Sequence, residues 1–552
     1  MSQRDSEGAL FAGFDVSTQS AKLVVTDPGA GAVVHVDRVD YDRDLPQYDT
    51  QGGAVRGLGE GVSESDPRMW IEAVEILLGR LSEGAGSTEG RGPREGPSGR
   101  GLAARIRCIS VSGQQHGLVA LTADGTLARP RAKLWNDFST AEECRILTDA
   151  VGGLEAMVRE VGNSQRTGYT AGKILHLKRH EPERWARTRV LFLVHNYVNW
   201  FLTGGTEGGV AVLEPGDTSG MALWNPATGR WSQRVMDAID PGLAGRLPPL
   251  APADRSIGAV GAGLVRRFGL SPACLVDAGS GDNMYGAVGT GNIDPGLFTV
   301  SLGTSGTACT VLERPYVDPT GEIASFCDSA GRFLPLLCVS NLANGYNALR
   351  ERLGVTHEAF AALVEEAPPG NGGRVLIPWY EGERTPDVPY GAAATLGFDT
   401  GDLVGARPAA ACRAVVEGHV LNLWDGSTRM PVTPREIRLT GGLSASPAWC
   451  QTIADVFDAE TVPVAGEGAA LGAAIHAAWV WSREAGEPRP LAEVAGPFVV
   501  LEEARRRRPR AEHRAAYDLL RKLFRALSRR LRGLEGEDPF VLRRELAALS
   551  AG

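Results

Sequence analysis

The chain lacks the features that mark several classes of protein. Its 8 cysteines form no C-x-x-C pair and have no histidine at metal-binding spacing, so we expect reduced thiols in a cytoplasmic protein. No run reaches the roughly 18 uncharged apolar residues that span a membrane, and the longest, VLFLVHNYVNWFL and AALGAAIHAAWVW, predict buried helices. The opening MSQRDSEGALFAGFD has no basic region followed by an apolar run. We therefore expect neither a secretory signal nor a membrane partner.

An excess of positive charge and a P-loop are also missing. The 57 Lys and Arg residues are outnumbered by 66 Asp and Glu residues, which gives a net charge of -9 and disfavours a nucleic-acid partner. The motif G-x-x-x-x-G-K-[ST] does not occur, so a nucleotide would have to bind by another device. The 552 residues, 43% of them hydrophobic, predict two to four folded domains at roughly 150 residues each.

A β-hairpin pattern occurs twice along the chain. In LFAGFDVSTQSAKLVVTD an apolar run stops at a Ser/Thr turn and resumes, and LFTVSLGTSGTACTVLE repeats this pattern with residues 303–307 in the turn. A second pair, IRCISVSGQQHG and EIRLTGGLSAS, runs a short strand into a glycine turn. Because strands alternate with helical stretches, we predict an α/β protein of two related domains, residues 1–290 and 291–552.

The two hairpin turns carry groups suited to phosphate. The turns at residues 17–18 and 303–307 present hydroxyls and backbone N–H groups without side-chain bulk, and two such turns facing each other could grip a polyphosphate. Asp15 adjoins the first turn, where a carboxylate can hold the hydration shell of Mg²⁺. The alternative interpretation is a pair of ordinary hairpin turns.

Polar side chains at other strand ends suggest a second ligand. In CLVDAGSGDNMYG a strand and a glycine turn place Asp282 and Asn283 at a helix start, where Asp282 is either an N-cap or a general base for a substrate hydroxyl. SVSGQQHG delivers residues 114–116 into a turn that would suit a polyhydroxylated ligand, although His116 could simply pack. Trp135 in LWND is either an aromatic platform or a buried side chain.

Three later segments complete the pattern. Glycine turns at residues 441–442 and 466–468 would let a flat ring lie against the backbone, or else allow tight helix packing. The tail sequence EARRRRPRAEHRAAYDLLRKLFRALSRRLRGL predicts a basic amphipathic helix, which we expect to pack on its own domain rather than on a membrane or partner. Residues 82–101, rich in Gly, Ser and Pro, predict a mobile surface loop to which we assign no function.

Taken in order, these segments resemble the motif series of one enzyme family. FDVSTQS, SVSGQQHG, LWND, GDN, SLGTSGT, GERTP, LTGGLSASPAW and EGAALGAA are similar to the motifs of the FGGY carbohydrate kinases, and most closely to those of the xylulokinases. The series runs from Phe14 to about Ala474. The resemblance implies two ribonuclease-H-like domains of the actin and hexokinase type, with ATP, Mg²⁺ and a sugar in the cleft between them.

The resemblance also implies a role for each motif. Asp282 matches the catalytic base of the family, and Asn283 and His116 match its sugar contacts. The predicted sugar site comprises Gln115, His116, Trp135, Asp282 and Asn283. The predicted site for ATP, with Asp15 holding Mg²⁺ through water, comprises Asp15, Ser17, Thr18, Gly303, Thr304, Ser305, Thr307, Gly441, Gly442, Glu467 and Gly468.

The expected activity is ATP-dependent phosphorylation of D-xylulose to D-xylulose 5-phosphate. The chain departs from the family pattern at Gln115, where Met is usual, and at Gly-Gly-Leu-Ser, which replaces three consecutive glycines. Alternatives are a kinase for another ketopentose or polyol, such as ribulose or glycerol, and a non-catalytic protein that binds ATP and sugar on the same scaffold. A homodimer stays an open alternative.

Overall fold

The computed structural model describes residues 8–84, 101–403, 407–466 and 468–551 and divides into two compact units. Unit 1 comprises Met1–Ile293, Leu312–Leu334 and Gly466–Val500, and unit 2 comprises Asp294–Val311, Pro335–Ala465 and Leu501–Gly552. The predicted domains 1–290 and 291–552 stay a proposal. The two units of the structure are a separate division, in which segments of the chain after residue 290 also belong to unit 1. Glu467 and residues 85–100 of the predicted loop lie outside the described residues.

Unit 1 is built on a mixed β-sheet whose strands are ordered β5-β6-β4-β1-β2-β3, with β7 also beside β4. The strands are β1 Leu10–Val16, β2 Ser20–Asp27, β3 Ala32–Asp40, β4 Ile106–Gly113, β5 Ser256–Ala259, β6 Leu275–Asp277 and β7 Ser280–Gly281. Strands β1 and β2 form an antiparallel hairpin, while β1 runs parallel to β4 and β4 parallel to β6. Nearly all of β1 and β4 is buried, as expected of strands covered on both faces.

Unit 2 repeats this arrangement. Its sheet contains, in the order β10-β9-β8-β11-β12, the strands β8 Leu297–Leu302, β9 Gly306–Thr310, β10 Phe333–Val339, β11 Glu436–Thr440 and β12 Glu460–Ala465. Strands β8 and β9 are an antiparallel hairpin, β10 extends it antiparallel to β9, and β8 runs parallel to β11. The strand order and directions match those of β3-β2-β1-β4-β6, so the internal duplication predicted from the two hairpins is confirmed.

Helices and short strands surround both sheets. The helices of unit 1 are Tyr41–Asp44, Pro67–Glu83, Leu102–Arg105, Ala141–Ala150, Leu154–Val161, Thr170–His180, Pro182–Arg187, Val194–Leu202, Pro215–Thr218, Gln233–Ile239, Ala262–Phe268, Asp282–Gly289, Gly468–Glu484 and Leu491–Ala495. Those of unit 2 are Ala343–Leu353, His357–Glu366, Thr400–Leu403, Pro408–Ser427, Pro447–Phe457, Arg514–Leu531 and Pro539–Ala551.

The remaining strands are short. In unit 1 they are Thr50–Gln51, Ala54–Val55, Glu64–Ser65, Val119–Leu121, Ala132–Lys133, Val190–Phe192, Trp224–Asn225, Arg230–Trp231 and Ala324–Cys327. In unit 2 they are Val375–Ile377 and Ala394–Leu396, and Val500–Leu501 lies where the chain passes from unit 1 to unit 2.

One apolar segment differs from its prediction as a single buried helix. In VLFLVHNYVNWFL the strand Val190–Phe192 pairs antiparallel with Val119–Leu121, and a helix begins only at Val194. The prediction was wrong for the first residues because backbone pairing with a distant strand outweighs their helical context. Among the described residues no helix is both long and apolar enough to cross a bilayer.

The basic tail helix packs within unit 2, as predicted. Helix Arg514–Leu531 buries one face that includes Tyr517, Leu520 and Phe524. The buried Arg413 of helix Pro408–Ser427 hydrogen-bonds to the Tyr517 hydroxyl at 3.2 Å. The arginine-rich face therefore remains on the outside, while the apolar face completes the core of its own unit.

Helix Gly468–Glu484 packs within unit 1 through close glycine contacts. A Cβ atom added at Gly472 would lie 2.7 Å from the carbonyl carbon of Tyr285 and 3.0 Å from the backbone nitrogen of Gly289. Both partners are on helix Asp282–Gly289, so the two helix backbones approach more closely than any larger residue would allow. The alternative of tight packing through small residues is confirmed for this helix.

We predict that Gly472→Ala destabilises the protein by about 1–3 kcal/mol, because the added methyl group meets backbone atoms that cannot move aside cheaply. The matched control is Gly286→Ala on helix Asp282–Gly289, where an added Cβ meets nothing within 4 Å. The control should be neutral or slightly stabilising. Thermal unfolding of both variants tests this, and equal melting temperatures would contradict the packing argument.

Candidate active site

Asp282 follows a short strand and begins a helix. Strand β7 ends at Gly281, which is the N-cap of helix Asp282–Gly289 and makes no side-chain capping bond. Asp282 is therefore the first residue of the helix rather than its N-cap. The turn before β7 contains Gly279 at φ 69°, whose backbone N–H donates to Asp277 Oδ1 at 2.9 Å. A glycine suits that left-handed conformation.

A chain of side-chain hydrogen bonds runs through the predicted sugar site. Asn283 Nδ2 donates to Asp282 Oδ1 at 3.0 Å and to Gln115 Oε1 at 2.7 Å. Gln115 Nε2 in turn lies 3.5 Å from Asp217 Oδ1. The structure thus brings together three of the predicted sugar-site residues, and it adds a buried carboxylate that the sequence analysis did not single out.

His116 adjoins this chain through its backbone. Its N–H group donates to both carboxylate oxygens of Asp217, at 3.1 and 3.3 Å. The imidazole packs against Tyr169, with ring centroids 4.8 Å apart, and against Phe326 at 5.6 Å. The predicted residues His116 and Gln115 therefore share Asp217 as a common partner.

Asp15 lies at the end of β1, beside the end of β4. The register of the two parallel strands places Asp15 opposite Ser112, and the Ser112 hydroxyl donates to Asp15 Oδ1 at 2.8 Å. Burial raises the pKa of Asp15 to about 6, although the Ser112 hydrogen bond and the positive charge of Lys22 oppose this shift. A carboxyl group with such a pKa still ionises near neutrality.

The carboxyl group of Asp282 is perturbed further. Burial, followed by the negative charges of Asp15 and Asp217, raises the pKa of Asp282 to about 7, while the hydrogen bonds from Asn283 oppose the increase. Like charges that share a low-dielectric site disfavour simultaneous ionisation. A group with a pKa near the working pH can both accept and return a proton.

Thr18 and Trp135 lie together, next to the predicted phosphate turn. Trp135 Nε1 donates to Thr18 Oγ1 at 2.9 Å, and Thr18 Oγ1 donates to Gln114 Oε1 at 3.2 Å. Ser17 Oγ donates to the Ser20 carbonyl at 2.9 Å, which closes the turn between β1 and β2. Trp135, which we predicted on the sugar side, thus contacts the turn assigned to phosphate.

Most of the remaining predicted residues lie in turns of one unit or the other. In unit 2, Gly303, Thr304 and Ser305 form the turn between β8 and β9, with Thr304 and Ser305 exposed, whereas Thr307 lies within β9. The turn predicted at residues 303–307 is therefore shorter, because β9 pairs with β8 from Gly306 onward. Gly441 and Gly442, also exposed, follow β11, with Gly441 at φ 83°. In unit 1, Gly468 begins a helix at φ 61° and has open space around it. Within unit 2 the glycines and hydroxyls follow the neighbouring strands β8 and β11.

Three buried residues of the site were not predicted from the sequence. Ser112 contacts Asp15, Asp217 contacts Gln115 and His116, and Lys173 Nζ donates to the His116 carbonyl at 2.7 Å. Ser112 could have been found from its place on a strand two residues before a polar turn. Asp217 and Lys173 are distant along the chain, and no local spacing in the sequence connects them to His116.

The family follows from a comparison with known proteins. The model of the FGGY family of carbohydrate kinases, N-terminal domain, matches residues 10–289, and that of the C-terminal domain matches residues 299–481. The chain belongs to the FGGY family of carbohydrate kinases. The family suggested by the sequence motifs is therefore confirmed, and the chain is a phosphotransferase of the kinase class.

Named relatives of this FGGY kinase include proteins described as xylulose kinases. One from Haemophilus influenzae is 34% identical over 502 residues, which cover 90% of this chain and 94% of the relative. The crystal structure of a xylulose kinase from Bifidobacterium adolescentis is 26% identical, with a TM-score of 0.73, and covers 92% of this chain and 99% of that one. A structure described as a xyloylose kinase from Brucella ovis, 24% identical, matches with a TM-score of 0.80 over 95% of this chain and 100% of that one, which supports the fold.

We predict that Asp282→Asn raises the melting temperature of the protein at pH 8 and has less effect at pH 4.5. Because the folded pKa of Asp282, about 7, exceeds its ordinary value, the folded state binds the extra proton and loses stability as pH rises from about 4 to 7. The neutral amide of Asn removes this pH-dependent loss of stability. Thermal unfolding of the wild type and the variant at pH 8 and pH 4.5 measures the difference in melting temperature.

Asp42→Asn is the matched control with the opposite sign. Burial opposes ionisation of Asp42, but hydrogen bonds from Thr50, Gly53 and Gly52 outweigh it and hold its pKa below the usual range. The ionised carboxylate therefore stabilises the fold above its unfolded pKa, so Asp42→Asn should lower the melting temperature at pH 8. A lowered melting temperature for Asp282→Asn at pH 8 would contradict the raised pKa.

Proposed function

We propose that this FGGY kinase transfers the γ-phosphoryl group of ATP to the terminal hydroxyl of D-xylulose, giving D-xylulose 5-phosphate and ADP. The observation that carries the proposal is the position of Asp282, whose carboxyl is held by Asn283 and joined through Gln115 to the turn that bears His116. The relatives described as xylulose kinases, which align over most of the chain, support the choice of sugar.

Asp282 acts as the general base in this proposal. It accepts the proton of the attacking hydroxyl, while Asn283 keeps one carboxyl oxygen oriented through the 3.0 Å hydrogen bond. A strongly basic group is not needed, because phosphoryl transfer depends mainly on positioning and on neutralising charge. Asn283, Gln115 and His116 orient the hydroxyls of the ketose, for which amide and imidazole groups supply both donors and acceptors.

Two sets of turns hold ATP in the proposal. Ser17, Thr18 and residues 303–307 bind the phosphates with hydroxyls and backbone N–H groups. Gly442 and Gly468 have open space beside the backbone for the adenosine, whereas Gly441 packs against the backbone of Leu302 and shapes the turn. Glu467 is a further contact implied by the family. We also propose that residues 1–290 supply the base and the sugar contacts and that residues 291–552 supply most of the nucleotide-binding turns, as the family resemblance implies.

The residues around Asp15 fit a Mg²⁺ ion that arrives with ATP. Within the described parts of the chain, no group of three or more His, Cys, Asp or Glu side chains could hold a metal, and Mg²⁺ characteristically uses one or two carboxylates, substrate phosphates and water. Asp15 would hold the ion through water, while Ser112 fixes its carboxyl at 2.8 Å. When bound, Mg²⁺ neutralises phosphate charge.

A kinase for another ketopentose or a polyol, such as ribulose or glycerol, is the second candidate. The observation that favours it is Gln115, whose amide bonds both Asn283 and Asp217 at a position where the xylulokinase pattern has Met. A polar group there adds a donor or acceptor at the sugar turn, so the preference among hydroxylated substrates could change.

We predict that D-xylulose raises ADP release from Mg·ATP more than D-ribulose, L-ribulose or glycerol does. A parallel reaction without sugar measures the background release of ADP. A clear preference for another substrate would replace D-xylulose in the proposal and keep the kinase. If no sugar raises ADP release above that of Asp282→Asn, the first explanation is a substrate outside this set and the second is the non-catalytic alternative.

The matched blank is Asp282→Asn, which keeps the shape of the side chain and removes the base. We expect its sugar-dependent turnover to fall by at least about a hundredfold, with D-xylulose binding, measured by calorimetry, retained. Turnover at the wild-type rate would remove Asp282 from the catalytic role.

A further inference from the structure

We propose that Lys173 and Asp217 are positioning residues that clamp the backbone of His116 from opposite sides and so orient its imidazole for the sugar. The proposal rests on the proposed function, because it assigns His116 to sugar binding. Neither residue needs to touch the substrate, since Lys173 acts through the carbonyl of His116 and Asp217 through its N–H group and ring.

The backbone of His116 needs such a clamp. His116 has φ 63°, the left-handed region that residues with a Cβ adopt at a cost. Conformations of this kind persist where the surroundings hold them, and they cluster at ligand sites. The turn at residues 114–116 therefore depends on contacts from other elements rather than on its own local preference.

Lys173 holds the carbonyl side of the turn. The side chain is completely buried, and Nζ donates to the carbonyls of His116 at 2.7 Å and Gly168 at 2.6 Å. Thr170 Oγ1 adds a third contact, 3.2 Å from the His116 carbonyl. Burial lowers the pKa of Lys173 to about 7, against the opposing charges of Asp137 and Asp217. A cation is costly to bury, and these hydrogen bonds compensate part of that cost.

Asp217 holds the N–H side of the same residue. Its buried carboxylate accepts from the His116 N–H at 3.1 and 3.3 Å and lies 3.2 Å from Nδ1 of the ring. The Asp217 backbone is itself fixed, because its N–H donates to the Glu214 side chain at 2.7 Å. Asp217 therefore acts on both the peptide and the ring of His116.

The surroundings leave the imidazole little freedom once the backbone is held. Tyr169 and Phe326 pack against two of its sides, with ring centroids at 4.8 and 5.6 Å. On a further side, a Cβ added at Gly220 would overlap the imidazole, so only glycine leaves room for the ring. Loss of either arm of the clamp would release the turn and change the direction of the ring toward the sugar.

The test compares Lys173→Met and Asp217→Asn with the wild type. Lys173→Met keeps the length of the side chain and removes its donors, and Asp217→Asn keeps the shape and removes the charge. We expect the KM for D-xylulose to rise by about ten- to a hundredfold, the range for loss of a hydrogen bond to a charged group. The KM for ATP should stay within about twofold. Calorimetry with D-xylulose should show the same loss of affinity.

Lys133→Met is the matched control. Lys133 is also buried, but its ammonium binds Asp137 at 3.2 Å and Ser139 at 2.7 Å instead of the sugar turn. The Lys133→Met variant should lower the melting temperature as much as Lys173→Met does, but it should leave the KM for D-xylulose unchanged. An equal rise in the control would overturn the proposal. If Lys173→Met fails to fold, Asp217→Asn decides the outcome by the same KM criterion.

A double-mutant cycle with His116→Ala separates positioning from general destabilisation. If Lys173 acts through His116, Lys173→Met should change sugar affinity by less than about twofold when His116 is already Ala. Full additivity of the two substitutions would overturn the proposal. Failure of the proposed function is distinct, because it would appear as the absence of sugar-dependent ADP release and sugar binding in the wild type.

Discussion

The parallel ladder between β1 and β4 ends with Asp15 opposite Ser112 and Val16 opposite Gly113. Because parallel strands end at the same edge of a sheet, the turn that follows β1 and the turn that follows β4 leave the sheet side by side. Strand β7 pairs with the same end of β4 and delivers Asp282 to that edge. The predicted phosphate turn, the predicted sugar turn and the candidate base of unit 1 therefore all depend on β4 and on the two strands, β1 and β7, that pair with its end.

A consequence of this arrangement is a concentration of negative charge. Asp15, Asp217 and Asp282 converge, and burial with mutual repulsion raises the pKa of Asp282 above that of an ordinary carboxyl. Carboxylates arranged in this way lower the stability of the fold, a cost that active sites commonly carry. The left-handed backbone of His116 adds to this cost. On the other side of the turn, the charges of Asp137 and Asp217 oppose the lowering of the Lys173 pKa by burial.

The fold and most of the site could be predicted because their signals are local. Each hairpin, with its strands and small-residue turn, occupies fewer than about 20 consecutive residues, so the duplication and the positions of Asp15 and Asp282 follow from short segments. Asp217 and Lys173 could not be predicted, since they reach His116 only when elements about 50 to 100 residues apart fold together. For the same reason, the packing of helix Gly468–Glu484 against β1 and helix Asp282–Gly289 was not assigned, although its small residues were noted.

The fold holds the partly buried carboxyl of Asp282 close to the carboxyls of Asp15 and Asp217, whose negative charges help to raise its pKa. Differential potentiometric titration of the free protein, wild type minus Asp282→Asn, tests it most directly. We expect the wild type to release one additional proton with a midpoint near pH 7. A difference curve centred near pH 4, the ordinary range for an aspartate, would contradict it.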